Sequence, residues 1–114
     1  MTTGRAVTRV VLAELDGAQP GALPLGRALR DTGAEVIHAG VLRTAAELRA
    51  TVEQEDPDVV VAVVGSEPGH ALATRVAGEL PGVPLLTFPT DTDVHEWVAG
   101  SAICATDPSS QACR

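Results

Sequence analysis

Lysine and tyrosine are absent from this chain of 114 residues, and Phe88 and Trp97 are its only aromatic side chains. Its positive charge rests on arginine alone, 8 residues against 15 acidic ones, for a formal net charge of −7. A chain so poor in cations has little to set against phosphate groups, which argues against nucleic acid or an anionic membrane surface as partner. With so few rings, the core has to be built from Val, Leu and Ala. The two cysteines, Cys104 and Cys113, fit neither a disulfide framework nor a metal cluster. Cys104 reads as a small hydrophobe in a last strand and Cys113 as a free thiol in the tail. No apolar run approaches the ~20 residues that span a bilayer, and Met1 to Arg5 lacks the apolar segment of a signal peptide. A soluble, cytoplasmic protein is expected.

What is present alternates between strand and helix. Arg9 to Leu15 reads as a buried strand. Pro24 suits the first turn of a helix, where its missing N–H is harmless, and Leu25, Ala28 and Leu29 give that helix an apolar face ending at Gly33. A second strand is expected over Ala34 to Ala39, ending at Gly40. Thr44-Ala45-Ala46-Glu47 is a capping box that opens a second helix, continued by Leu48 and Val52. Asp58 to Gly65 is apolar on both faces, as at the centre of a parallel sheet covered on each side. A third helix is expected over His70 to Leu80, a fourth strand over Val83 to Phe88, a short helix over Asp91 to Ala99 and a last strand over Ser101 to Thr106. This alternation predicts one α/β domain over 1–114, with its core over 9–106 and a polar tail over 107–114. The architecture is a doubly wound, flavodoxin-like (Rossmann-like) parallel sheet of five strands.

In such a sheet the right-handed crossovers bring the loops after each strand to one edge, where ligands bind. The candidate site residues are therefore Asp16, Gly17 and Gly21 after the first strand, and Ser66, Gly69 and His70 after the third. Asp16 and His70 are the candidate proton-transfer groups; no metal site is expected. His38 reads as a strand residue, His95 and Glu96 as solvent-facing, and Asp91 and Asp93 as helix caps. A phosphoacceptor receiver domain would need a lysine after its fifth strand and an Asp ending its third, and here Val64-Gly65-Ser66 stands at that end. A flavodoxin would need a hydroxyl-rich phosphate loop, and Asp16 to Gly21 contains no Ser or Thr.

A third chemistry fits better. Asp16-Gly17-Ala18-Gln19-Pro20-Gly21 is followed by Gly26-Arg27-Ala28-Leu29-Arg30-Asp31, then Gly33-Ala34-Glu35-Val36-Ile37, Arg43-Thr44-Ala45-Ala46-Glu47 and Gly69-His70. In this register, over roughly Arg9 to Ser110, the chain resembles the cobalamin-binding domain of methylmalonyl-CoA mutase-like enzymes. The family's first loop is Asp-x-His-x-x-Gly, whose histidine is the lower ligand of cobalt and whose aspartate orients that imidazole. The resemblance places Ala18 at the histidine position. It places Val64-Gly65-Ser66 where the family has Ser-x-Leu, and Phe88-Pro89 where paired glycines let the cofactor's nucleotide tail pass. It also implies that the family's last helix is missing.

Taken together, the resemblance implies a degenerate cobalamin-domain homologue, a non-catalytic small subunit or partner of a larger mutase-like enzyme. No bound cofactor is expected, and base-on cobalamin is the one binding mode left open. The alternative is a repurposed small enzyme or small-molecule-binding protein using the emptied crevice at Asp16, Ser66, Glu67 and His70.

Overall fold

A computed structural model describes residues 7–80, 82–101 and 103. Among the described residues eight elements follow one another: β1 (Arg9–Leu15), α1 (Ala22–Asp31), β2 (Glu35–Leu42), α2 (Ala45–Glu55), β3 (Val59–Val64), α3 (Glu67–Ala77), β4 (Leu85–Pro89) and α4 (Val94–Ala99). The four strands are all parallel, in the order β2-β1-β3-β4. This is the order of a flavodoxin-like sheet through its first four strands. Of the fifth strand expected over 101–106, Ser101 is in no strand and Ile103 is helical, and the other positions lie outside the described residues, as does the tail with Cys104 and Cys113. Among the described residues no helix is long and apolar enough to cross a membrane.

The two central strands explain the layering. Side chains alternate across a strand, so Val10 and Leu12 of β1 and Val59, Val61 and Val63 of β3 face one side. There they meet Leu25 and Leu29 of α1, Val98 of α4 and Phe88. Val11, Ala13 and Leu15 of β1 and Val60, Ala62 and Val64 of β3 face the other side, against Leu48 and Val52 of α2 and Ala73 and Val76 of α3. Every residue of β3 is buried. Each fully buried Val or Leu contributes about 1.5–3 kcal/mol by its removal from water, so these two strands hold much of the fold's stability.

The boundaries of several elements differ from those the sequence predicts, each for a local reason. The third helix starts at Glu67, not His70, because Ser66 caps it: the Ser66 hydroxyl accepts from the Gly69 N–H at 3.1 Å, and Pro68 lies in the first turn. It ends at Ala77, so Leu80 packs against the core from beyond the helix. The second strand does not stop at Gly40. A bulge opposite Leu12 and Ala13, with Gly40 at φ +80°, carries it on to Leu42. The fourth strand is displaced to Leu85–Pro89, and the short helix expected from Asp91 begins at Val94, since Asp93 caps it by accepting from the Glu96 N–H at 2.9 Å.

The capping box of α2 is fully formed. The Glu47 N–H donates to the Thr44 hydroxyl at 3.1 Å, and the Glu47 carboxylate accepts from the backbone of Arg43 at 2.7 Å and Thr44 at 3.1 Å. These backbone donors, that of Arg43 foremost, hold the Glu47 carboxyl below its ordinary range. A carboxyl depressed in the folded state favours folding above its unfolded value, and that contribution is lost as pH falls through the folded value.

Two outcomes are expected. Replacing Leu12 by Ala should lower the unfolding free energy by about 2–5 kcal/mol in urea titrations. The acid limb of the stability–pH curve should be shallower for Glu47→Gln than for the native chain, measured by thermal melts between neutral pH and the carboxylate range.

Candidate functional site

The C-terminal ends of the four strands form one edge. The chain leaves β1 for β2 on one side and later returns to β3 on the other, so the topological switch point lies between β1 and β3. The loops after these two strands make the crevice there.

The loop after β1 is held in a tight, left-handed shape. Asp16 has φ +63° and Gly17 φ +129°, the first tolerable for aspartate and the second the territory of glycine. The Asp16 N–H donates to the Leu42 carbonyl at 3.2 Å, which ties the loop to the end of β2. Its carboxylate accepts from the Ser66 hydroxyl at 3.2 Å. Ser66 therefore serves two elements, as cap of α3 and as a link across the crevice. Gly69 explains how α3 comes so close: a Cβ there would lie 3.1 Å from the Leu15 carbonyl oxygen and 3.6 Å from the Asp16 Cβ.

Gly21 and Thr90 close the adjoining gap. The Gly21 N–H donates to the Thr90 hydroxyl at 3.1 Å, and the Thr90 N–H donates to the Val64 carbonyl at 2.9 Å. A Cβ on Gly21 would sit 2.9 Å from the Thr90 carbonyl oxygen and 3.1 Å from the Phe88 ring. That ring is fully buried and meets Trp97 edge-on, with centroids 5.4 Å apart and planes at 88°. The Trp97 indole N–H donates to the Thr87 carbonyl at 3.1 Å, fixing α4 over β4.

The structure brings the predicted residues together unevenly. Asp16, Gly17, Gly21 and Ser66 belong to the loops around the crevice, and Gly69 lies beside them in the first turn of α3. His70 lies one step away, exposed in the first turn of α3, with its N–H donating to the Ser66 carbonyl at 3.0 Å. It lines a cleft of about 530 Å³ with Ser66, Glu67, Ala71, Thr90 and Asp91. Asp16 is not among the cleft residues and reaches it only through Ser66. Asp91, expected as a cap, faces this cleft, and Asp93 does the capping. Ala18 is exposed in the loop. His38 packs over α1, where a Cβ on Gly26 would come within 2.7 Å of its Nε2. Among the described residues no three His, Cys, Asp or Glu side chains gather as metal ligands would.

Two residues were not singled out from the sequence: Gln19 and Thr90. The Glu14 carboxylate accepts from the Gln19 N–H at 2.7 Å, and the Gln19 carboxamide donates to the Gly17 carbonyl at 3.1 Å and the Leu15 carbonyl at 3.4 Å.

A parallel α/β fold whose strand order is compatible with a flavodoxin-like sheet, with its crevice at the β1/β3 switch point, defines the class of protein. No family model matches the chain. Among curated proteins it is similar to the small subunit of 2-hydroxyisobutanoyl-CoA mutase from Aquincola tertiaricarbonis, with 48% identity over 83 residues. The match covers 71% of this chain and 50% of that protein, so the chain spans about half the length of this relative.

The Gly21–Thr90 contact gives a direct test of this geometry. Replacing Gly21 by Ala should cost about 1–3 kcal/mol through overpacking against backbone and the Phe88 ring, read by urea denaturation. Gly17→Ala should also destabilise, but through its backbone conformation, since a Cβ there meets nothing within 4 Å.

Proposed function

We propose that this chain acts as a small subunit that docks on a larger, mutase-like enzyme and does not itself carry a histidine-ligated cobalamin. The observation that carries this reading is the 48% identity with a mutase small subunit, combined with an alanine at position 18 of the loop after β1. The resemblance to cobalamin-binding domains places the cobalt ligand at that position.

The residues around the crevice do not fit the cofactor in that mode. Ala18 offers a methyl group and no lone pair for a metal. Asp16, which in the family would orient the imidazole, here accepts from Ser66 instead. The Phe88 ring, packed against Trp97, fills the space between β4 and its covering helices where the family would pass the nucleotide tail. No chemical step is therefore routed through cobalamin. What this edge offers a partner protein is a surface: the exposed apolar side chains Leu23, at the start of α1, and Val41, near the end of β2, stand there beside the loop.

A second reading is favoured by one observation, the cleft beside His70. Its imidazole, the Ser66 hydroxyl and the carboxylates of Glu67 and Asp91 share one opening, which suits proton transfer on a small molecule.

The tests separate these readings. The tagged chain, recovered from its native host, should bring down a mutase large subunit identified by mass spectrometry. Adenosylcobalamin and hydroxocobalamin titrated into the purified chain should leave the absorbance spectrum and the calorimetric baseline unchanged. Saturable uptake with a base-on spectrum would restore a cofactor-carrying role. Absence of the large subunit, together with a rise in melting temperature on adding one of a panel of metabolites that is lost in His70→Ala, would favour the second reading.

A further inference from the structure

The side chain of Gln19 lies across the crevice between β1 and β3. Its Nε2 donates to two carbonyl oxygens of its own loop, Gly17 at 3.1 Å and Leu15 at 3.4 Å. Its Oε1 faces Gly65 at the end of β3. A Cβ on Gly65 would overlap that oxygen and stand 3.2 Å from the Gln19 Cδ and 3.3 Å from the Thr90 Cγ2. The carboxamide thus fills a slot with convergent acceptors on one side and a bare Cα on the other. The backbone of Gln19 is held separately, by the Glu14 carboxylate at 2.7 Å, so the side chain can leave while the loop keeps its place.

We propose that this slot is a binding site for a primary carboxamide, which Gln19 occupies from within the chain and which a ligand carrying that group enters by displacing it. The chemistry sets the class. A carboxylate would bring its charge toward the lone pairs of Leu15 and Gly17 and has no N–H to offer them. An apolar group offers neither carbonyl a donor. A carboxamide satisfies the carbonyls through its NH₂ and places its compact oxygen over Gly65, where a larger residue at that position would block it. The site lies at the switch point, where ligands of doubly wound sheets bind. The proposal does not depend on the subunit reading above.

Replacing Gln19 by Ala removes the atoms of one acetamide molecule, which makes acetamide the probe. Titrated into Gln19→Ala, it should produce saturable shifts of the Gly17 and Gly65 amide resonances and raise the melting temperature by a few degrees, as ligand binding to the folded state does. The native chain should need at least ten-fold more acetamide for the same response. Acetate at equal concentration should give none, and adding Gly65→Ala to Gln19→Ala should abolish the response. Equal behaviour of acetamide and acetate, equal behaviour of variant and native chain, or no saturable shift would each overturn the proposal. Gln19→Glu provides an independent reading because it keeps the side chain's shape. At neutral pH it should melt several degrees below the native chain, and an unchanged melting temperature would also contradict the proposal.

Discussion

Everything at the functional edge depends on β1 and β3 being paired with each other and buried on both faces. Parallel strands need crossovers, and crossovers place helices over the sheet. With apolar residues on both faces, the two strands demand helices on both sides, α1 and α4 on one and α2 and α3 on the other. The same pairing puts the loop after β1 beside the loop after β3. The Asp16–Ser66 hydrogen bond and the approach of Gln19 to Gly65 both depend on that neighbourhood.

Within this frame, the chain turns its own polar groups inward at the crevice. Asp16, Gln19, Gly21, Ser66 and Thr90 bind one another or the strand ends. Each hydrogen bond contributes only about 0.5–1.5 kcal/mol net, but together they link the loops after β1, β3 and β4. Behind them the Phe88–Trp97 pair packs the space under β4. The adjoining cleft by His70 remains open, so the edge combines a filled crevice with a free one.

Elements with strong local signals were readable from the sequence. The apolar run Val59–Val64 and the capping box at Thr44 needed no tertiary information, and both stand as expected. The helix α3 starts at Glu67 and not at the expected His70, on a cap signal carried by Ser66 followed by Pro68. The extension of β2 past Gly40 was hidden by a bulge, whose extra residue breaks the alternation on which strand reading depends. In the candidate site, the contacts between the loops after β1, β3 and β4 were not legible. Thr90 meets Gly21 from 69 positions away, and the approach of Gln19 to Gly65 exists only once β1 and β3 are paired. A glutamine in a loop has no local pattern that marks it.

The most direct test of the account is a nuclear Overhauser measurement on the side-chain amide of Gln19 in the native chain. The account predicts cross-peaks from its NH₂ protons to the Gly17 α-protons, with amide shifts displaced from those of an exposed glutamine. A Gln19 amide at free-solvent shifts with no cross-peak to Gly17 would contradict it.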